Sequence, residues 1–141
     1  MEFLKTNLDW GVMGLLGVMS FLMMAFVIER YVYYARVDPG TFEDIEDLDL
    51  ALTRHLTTIA TIGANAPYIG LLGTVLGILI AFHDMGRGGA IETATMMVGL
   101  ALALKATALG LVVAIPSLVF YNALLRRTDQ IKARWRRERR R

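Results

Sequence analysis

The sequence contains no cysteine and only two histidines, His55 and His83. The missing thiols exclude disulfides and thiolate metal sites, and the two histidines stand too far apart to have the spacing of a metal site. No Ser/His/Asp set, H-E-x-x-H motif or phosphate-binding loop is recognisable. We therefore expect no metal and no other cofactor, and we expect that the protein is not an enzyme.

Charged residues are scarce along three long apolar runs, in a chain of 141 residues that is 55% hydrophobic. The runs extend from Trp10 to Ile28, from Leu56 to Phe82 and from Thr93 to Leu125. About 20 apolar residues cross the hydrocarbon core of a bilayer, so the sequence predicts three transmembrane helices. At 1.5 Å per residue the second and third helices exceed the bilayer thickness, and we expect both to continue into the cytoplasm.

The first run could also belong to a cleaved signal peptide. It has no basic segment before it and no A-x-A cleavage motif after it, which favours a membrane helix that is retained.

The charges divide unevenly between the remaining segments. Acids crowd residues 38–49, and arginines crowd the C-terminal end. Basic residues next to membrane helices lie on the cytoplasmic side, so we predict a multi-pass inner-membrane protein with a periplasmic N-terminus and a cytoplasmic C-terminus. Binding of anionic lipids explains the arginines better than binding of nucleic acid. The residues assigned to topology and lipid contact are Arg126, Arg127, Arg134, Arg136 and Arg137.

We divide the chain into an N-terminal segment with the first helix (1–36), a short acidic cytoplasmic helix (37–55), a long helical hairpin (56–125, outer loop 83–92) and a basic cytoplasmic tail (126–141). The motif DPGT should break the chain after the first helix. Thr41 and Asp44 then resemble a capping box. The amphipathic helix that follows is expected to run straight into the second span.

Helix-weakening residues are unusually frequent in the second span, APYIGLLGTVLGILIAF. Small residues at four-residue spacing let membrane helices approach closely, and three helices offer too few partners for so many small faces. We therefore expect a homo-oligomer. The residues assigned to packing are Gly70, Gly73, Gly77 and Gly110, and those assigned to helix bends are Pro67 and Pro116.

Several polar residues lie within the second and third spans, and three of them are candidates for function: Thr74, Thr107 and Lys105. A threonine can bond the carbonyl four residues earlier in its own helix, or it can face a wet interior surface. A charge at the centre of a bilayer costs about 2.5–3.5 kcal/mol, so Lys105 should face protein, water or an acid. We expect no acid of this chain near its depth, and we interpret the three residues as a pore or proton path.

Two blocks, TIATIGANAPYIGLLGTVLGI (58–78) and KATALGLVVAIPSLVFYN (105–122), strongly resemble the ExbB/TolQ/MotA-type proton channel family, and its ExbB branch in particular. The resemblance implies an all-α membrane protein with three spans, assembled as a ring of five subunits. It implies a single-span partner of the ExbD kind inside the ring and a TonB-like protein that couples proton-motive force to outer-membrane import. The pore threonines of the family match Thr74 and Thr107.

One departure from that family concerns the third span, where many relatives carry a glutamate and this chain has Leu102. Lys105 lies one turn further along, on about the same face. We therefore hypothesise that Lys105 is a counter-ion to an aspartate of the partner helix. Three readings remain beside an ExbB-like motor: a TolQ-like envelope stator, a flagellar stator, which usually has four spans, and a membrane scaffold that does not conduct.

Overall fold

Helices account for nearly all of the part of the chain that the computed structural model describes, residues 2–88 and 92–141. The α-helices are α1 (Glu2–Arg36), α2 (Ile45–Thr53), α3 (Leu56–Gly86) and α4 (Thr93–Arg139), and a short 3₁₀ turn spans Pro39–Thr41. No strand occurs in these residues. The sequence predicts an outer loop over residues 83–92, but α3 continues into this range as far as Gly86. Residues 89–91 lie outside the described residues.

Three of these helices, α1, α3 and α4, are long and apolar enough to cross a membrane, as the hydrophobic runs predict. Each is longer than the run that predicts it. The 47 residues of α4 correspond to about 70 Å, more than twice the ~30 Å of hydrocarbon in a bilayer. The predicted basic tail is therefore not a separate segment, because residues 126–139 form the last turns of α4.

An antiparallel hairpin of α3 and α4 forms the centre of the fold, and α1 packs against both of its helices. The core lies where the three helices meet. It consists of Leu16, Met23, Val27, Leu56, Ile59, Ile62, Ala66, Val113, Ala114 and Leu124. Both α3 and α4 continue through their prolines, Pro67 and Pro116.

The linker between α1 and α3 differs from the prediction in two ways. Thr41 does not cap a helix, because it lies in the 3₁₀ turn and its hydroxyl donates to the Asp38 carbonyl at 2.8 Å. The helix starts later, at Ile45, with Asp44 as its first flanking residue. Leu48 and Leu52 on its apolar face are fully buried.

The second difference is a break between α2 and α3. His55 has φ = 67°, in the left-handed region, so the short helix does not run straight into the membrane helix. The imidazole ring of His55 stacks on Phe26 of α1 with 4.4 Å between ring centroids. This contact holds the chain at the point where it turns from α2 into α3.

Candidate functional site

At Gly70 of α3 and Gly110 of α4, the two helices of the hairpin approach each other closely. A Cβ atom on Gly70 would lie 2.6 Å from the Ala106 carbonyl oxygen, and a Cβ on Gly110 would lie 2.6 Å from the Ala66 carbonyl oxygen. Backbone therefore meets backbone here, and neither helix has room for a side chain at these positions.

Two further glycines of α3 extend this contact. A Cβ on Gly77 would lie 3.0 Å from the Ala103 methyl group of α4. Gly73 faces two helices at once, since its Cβ would lie 2.9 Å from the Ala106 Cβ and 3.1 Å from a methyl group of Val12 on α1. The glycines of the second span thus allow α1, α3 and α4 to meet along one line, as small residues do in membrane helices.

Thr74 and Thr107 lie next to this glycine contact and bond to each other. Their Oγ1 atoms are 2.5 Å apart. Thr74 is buried and Thr107 is half-buried. The Oγ1 of Thr74 also lies 2.8 Å from the Ala103 carbonyl oxygen and 3.3 Å from the Gly70 carbonyl oxygen, whereas the Oγ1 of Thr107 lies 3.5 Å from the same Gly70 oxygen.

The direction of these hydrogen bonds follows from counting protons, because each hydroxyl has one proton to donate. The shortest bond to a carbonyl is from Thr74 to Ala103, so the Thr74 proton goes there. Thr107 then donates to Thr74. The two hydroxyls form a relay that crosses from α4 to α3 and returns to α4.

Lys105 points away from this relay and towards α1. It is exposed in the single chain and lines a cleft of about 50 Å³ together with Asp9 of α1. Our expectation that no acid of this chain lies near Lys105 is therefore wrong. The sequence analysis overlooked Asp9, which lies just before the first apolar run.

The cleft of Asp9 and Lys105 continues into larger clefts towards the end of the bundle where α3 ends and α4 begins. The next one has about 260 Å³ and shares Asp9 and Leu102 with it. At the far end, Lys5 of α1 forms a salt bridge of 3.0 Å with Asp84 of α3. Leu102 thus faces a cleft between α1 and α4 instead of the threonine relay.

A buried arginine organises the opposite end of the bundle. Arg30 of α1 is 2% exposed and donates to the Ala51 carbonyl at 2.7 Å and to the Leu52 carbonyl at 3.4 Å. It also pairs with Glu29. The guanidinium therefore satisfies the last carbonyls of α2, which have no partner within their own helix.

Tyr34 joins α1, α2 and α4 beside this arginine. Its hydroxyl donates to the Leu52 carbonyl at 2.5 Å and lies 3.1 Å from the Thr128 hydroxyl. Thr128 in turn donates to the Leu124 carbonyl of its own helix at 3.0 Å. Sequence analysis missed Arg30 and Tyr34, although a charge beside a cluster of tyrosines at the end of an apolar run is a usable signal.

The basic end of α4 divides into two sets of residues. Lys132 bonds to Asp49 at 2.8 Å, and both Trp135 and Arg139 donate to the Phe42 carbonyl, at 3.0 and 2.7 Å. These contacts dock the linker onto α4. The arginines that the sequence assigns to lipid contact are all exposed: Arg126, Arg127, Arg134, Arg136 and Arg137.

No group of three or more His, Cys, Asp or Glu residues in the described ranges has an arrangement that could hold a metal ion. The polar groups described above in the bundle interior are hydroxyls, backbone carbonyls and the guanidinium of Arg30, and such groups can hold and orient water.

The comparison with protein families matches residues 37–137 to the MotA/TolQ/ExbB proton channel family. The matched region contains the glycine contact, the threonine relay and the whole of α2, α3 and nearly all of α4.

Comparison with individual proteins finds similar chains over almost the full length. The chain is 54% identical to the biopolymer transport protein ExbB of Helicobacter pylori, over 96% of this chain and 94% of that protein. It is 50% identical to ExbB of Aquifex aeolicus, over 96% and 91%. It is 39% identical to the Tol-Pal system protein TolQ of Pseudomonas aeruginosa, over 60% of this chain and 36% of that protein.

Proposed function

This chain belongs to the MotA/TolQ/ExbB proton channel family, and on that basis we propose that it is the ExbB-like subunit of a proton-driven motor in a bacterial inner membrane. Five copies form a ring around the single-span helices of an ExbD-like partner. Proton-motive force moves ring and partner relative to each other, and a TonB-like protein carries that motion to import through the outer membrane.

The threonine relay is the observation that carries this proposal. Thr107 donates to Thr74, and Thr74 donates to the Ala103 carbonyl. A hydroxyl that donates one hydrogen bond keeps a lone pair that can accept another, so it can orient a water or a protonated carboxyl group on a proton path. Because Thr107 is only half-buried, it can accept a hydrogen bond from water or from a protonated carboxyl group of the partner helix while it keeps its bond to Thr74.

The ring is supported by the surfaces that the single chain leaves open. Large apolar side chains of α3 and α4 stand exposed at mid-helix, among them Leu71, Leu72 and Val112. Lipid covers such side chains, and so does a second subunit. The glycine contact makes the hairpin thin and stiff, which suits it as the repeated wall of a ring.

Orientation follows from the distribution of arginines. We propose that the exposed arginines of α4 lie in the cytoplasm, where they meet anionic lipid. The N-terminus of α1 and the connection between α3 and α4 then face the periplasm. The part of α4 beyond the membrane, which docks on the linker through Lys132 and Trp135, forms the cytoplasmic end of the ring.

The test is proton uptake into liposomes under an imposed membrane potential, with the protein reconstituted together with its single-span partner. Thr107→Val removes the hydroxyl at nearly constant volume, and Thr107→Ser keeps it. Flux should fall about tenfold or more in the valine variant and remain in the serine variant. A loss of one general acid–base or relay group typically costs 10²–10⁴-fold, so this threshold is conservative.

Ser117→Ala is the matched control. Ser117 is a buried residue of the same helix, but its hydroxyl donates to the Val113 carbonyl of its own turn at 3.0 Å. Its removal should leave flux unchanged. Equal flux in Thr107→Val and wild type would exclude the relay from the proton path. Absence of flux in every variant of an intact complex would favour a scaffold that does not conduct.

A TolQ-like role is the second candidate, favoured by the 39% identity to TolQ of Pseudomonas aeruginosa. The ExbB-like role is preferred because the similarity to ExbB proteins extends over 96% of the chain at 50–54% identity. A gene deletion separates the two roles. Deletion of the gene should abolish energy-dependent uptake through the outer membrane if the first role is right, and should cause envelope leakage if the second is right.

A further inference from the structure

We propose that Asp9 is the counter-ion of Lys105 within the same chain, and that the two charges are bridged by water in the cleft between α1 and α4. This site differs from the threonine relay, which lies on the other side of α4 between α4 and α3. The inference concerns how the resting subunit neutralises Lys105, and it does not depend on proton conduction.

The first support is the shared cleft. Of the described residues that line this cleft, only Asp9 and Lys105 are charged, and the others are Val12, Met13, Leu102 and Ala106. Both charged side chains are exposed in the single chain, but the groups beside them are apolar, and within a membrane an unneutralised charge beside such groups is costly. An acid and a base that face one small cleft lower that cost for each other, because opposite charges attract more strongly beside apolar groups than in bulk water.

The second support is that neither side chain has a salt-bridge or hydrogen-bond partner among the described residues. The basic residues in the ion pairs and charged hydrogen bonds of that part of the chain are Lys5, Arg30, His83, Lys132 and Arg139, and none of these contacts reaches Asp9 or Lys105. The two side chains are thus too far apart for a direct salt bridge and free to engage a bridging molecule. A cleft of about 50 Å³ holds at least one water.

The third support is charge complementarity between α1 and the hairpin. Lys5 and Asp9 are four residues apart and therefore lie on one face of α1. Lys5 meets an acid of α3, Asp84, at 3.0 Å, while Asp9 faces a base of α4, Lys105. On α1 a positive charge, Lys5, is followed by a negative one, Asp9, and each faces the opposite charge on the hairpin. A shift of α1 by one helical turn would therefore place like charges opposite each other.

Water reaches the pair along the chain of clefts. The 260 Å³ cleft shares Asp9 and Leu102 with the smaller one and is also lined by the polar residues Thr6 and Thr95. It leads to the helix ends where Lys5 and Asp84 meet. The charge pair is therefore hydrated from the outer end of the bundle, even though Lys105 lies within the third apolar run.

A double-mutant cycle on the full-length protein in detergent tests the pairing. The variants are Asp9→Asn, Lys105→Gln and the combination of both, and the readout is the melting temperature. Each single change leaves one charge unneutralised, and we expect each to lower the melting temperature by about 2–4 °C. The double variant should melt no lower than the less stable single variant, because it removes both charges together.

Asp9→Asn combined with Lys132→Gln is the matched control. Lys132 lies at the opposite end of the bundle, where it bonds to Asp49. These two changes should lower the melting temperature by the sum of their separate effects. If the changes in melting temperature caused by Asp9→Asn and Lys105→Gln also simply added, as in the control, the proposal would be overturned. Lys105 would then take its counter-ion from another chain or from lipid.

Exchanging the two charges distinguishes the loss of the charge pair from a general failure of the single variants to fold. Asp9→Lys combined with Lys105→Asp should regain at least half of the melting temperature that either single exchange loses. No recovery would contradict a pair within one chain. Loss of proton flux in these variants would not bear on this result, since the cycle measures stability alone.

The bridging water is tested through cysteine accessibility, which the cysteine-free chain makes simple. In nanodiscs, Leu102→Cys should react with a charged methanethiosulfonate at least tenfold faster than Phe21→Cys. Leu102 lines both clefts, whereas Phe21 is 73% exposed in the middle of the first apolar run. Equally slow reaction at both positions would exclude a hydrated cleft.

Discussion

Gly70 and Gly110 face each other across the hairpin so closely that a Cβ on either would meet a backbone carbonyl of the other helix at 2.6 Å. Carbonyl oxygens cannot move aside as a flexible side chain can, so any side chain here must push the two helices apart. The Thr74–Thr107 bond of 2.5 Å lies beside this contact and depends on the same helix spacing.

The first prediction is that Gly70→Ala lowers the free energy of unfolding by about 1–3 kcal/mol, the usual cost of overpacking. It should also reduce proton flux, because it opens the threonine relay. Gly99→Ala is the control, since a Cβ on Gly99 meets nothing within 4 Å. That change should be neutral or stabilise α4 by up to about 1 kcal/mol. Unfolding in detergent measures the stability of both variants. Similar losses of stability in Gly70→Ala and Gly99→Ala would refute the close contact.

The second prediction concerns the left-handed residue between α2 and α3. His55 has φ = 67°, a conformation that costs a residue with a Cβ roughly 1–2 kcal/mol. His55→Ala and His55→Gly both lose the stacking on Phe26, but only glycine is relieved of the strain. We expect the glycine variant to be more stable by about 1 kcal/mol.

At Leu50, an exposed residue inside α2, the same pair of substitutions should show the opposite order. There alanine should be the more stable by about 1 kcal/mol, because glycine weakens a helix interior. Chemical denaturation of the four variants gives the comparison. The same order at both positions would mean that the break between α2 and α3 does not exist in the membrane protein.

The third prediction is that Arg30→Met releases α2 from α1. The variant loses the bonds to the carbonyls of Ala51 and Leu52 and leaves Glu29 without its partner. Hydrogen bonds from charged donors contribute about 1.5–3 kcal/mol each, and we expect a loss of about 2 kcal/mol. Hydrogen exchange should accelerate in residues 45–53 but not in the hairpin. Arg36→Met, on an exposed residue of the same helix, should leave exchange unchanged.

The three spans were predictable because length and apolarity decide membrane insertion, and both are local properties of the sequence. The close-packed glycines were predictable for a similar reason, since the spacing of Gly70, Gly73 and Gly77 places them near one another on α3. The resemblance to a family singled out Thr74 and Thr107 as pore threonines, but neither it nor their spacing predicted the hydrogen bond between them.

The remaining features depend on how separate helices are placed against each other. Asp9 and Lys105 are 96 residues apart, and only the position of α1 on the hairpin puts them in one cleft. The break at His55 has no glycine or proline to mark it, and the stacking on Phe26 that accompanies it is again a contact between helices. Thr41 and Asp44 have the spacing of a capping box. In the structure, however, Thr41 belongs to the proline-containing 3₁₀ turn, and its hydroxyl donates to the Asp38 carbonyl.

The last prediction separates the two sets of basic residues on α4. Anionic lipid should raise the melting temperature of the wild-type protein relative to zwitterionic lipid, and replacing the five exposed arginines by glutamine should abolish that gain. Each basic residue near an anionic surface contributes about 1 kcal/mol. The gain should also shrink in high salt, because exposed charges are screened.

Lys132→Gln combined with Arg139→Gln is the control for that experiment. These residues hold Asp49 and the Phe42 carbonyl, so the variant should melt lower in every lipid while it keeps the gain from anionic lipid. The two effects would then be independent: one set of residues binds the membrane surface, and the other fixes the linker to α4. A variant of the five arginines that kept the full gain would show that the basic face of α4 contacts something other than lipid.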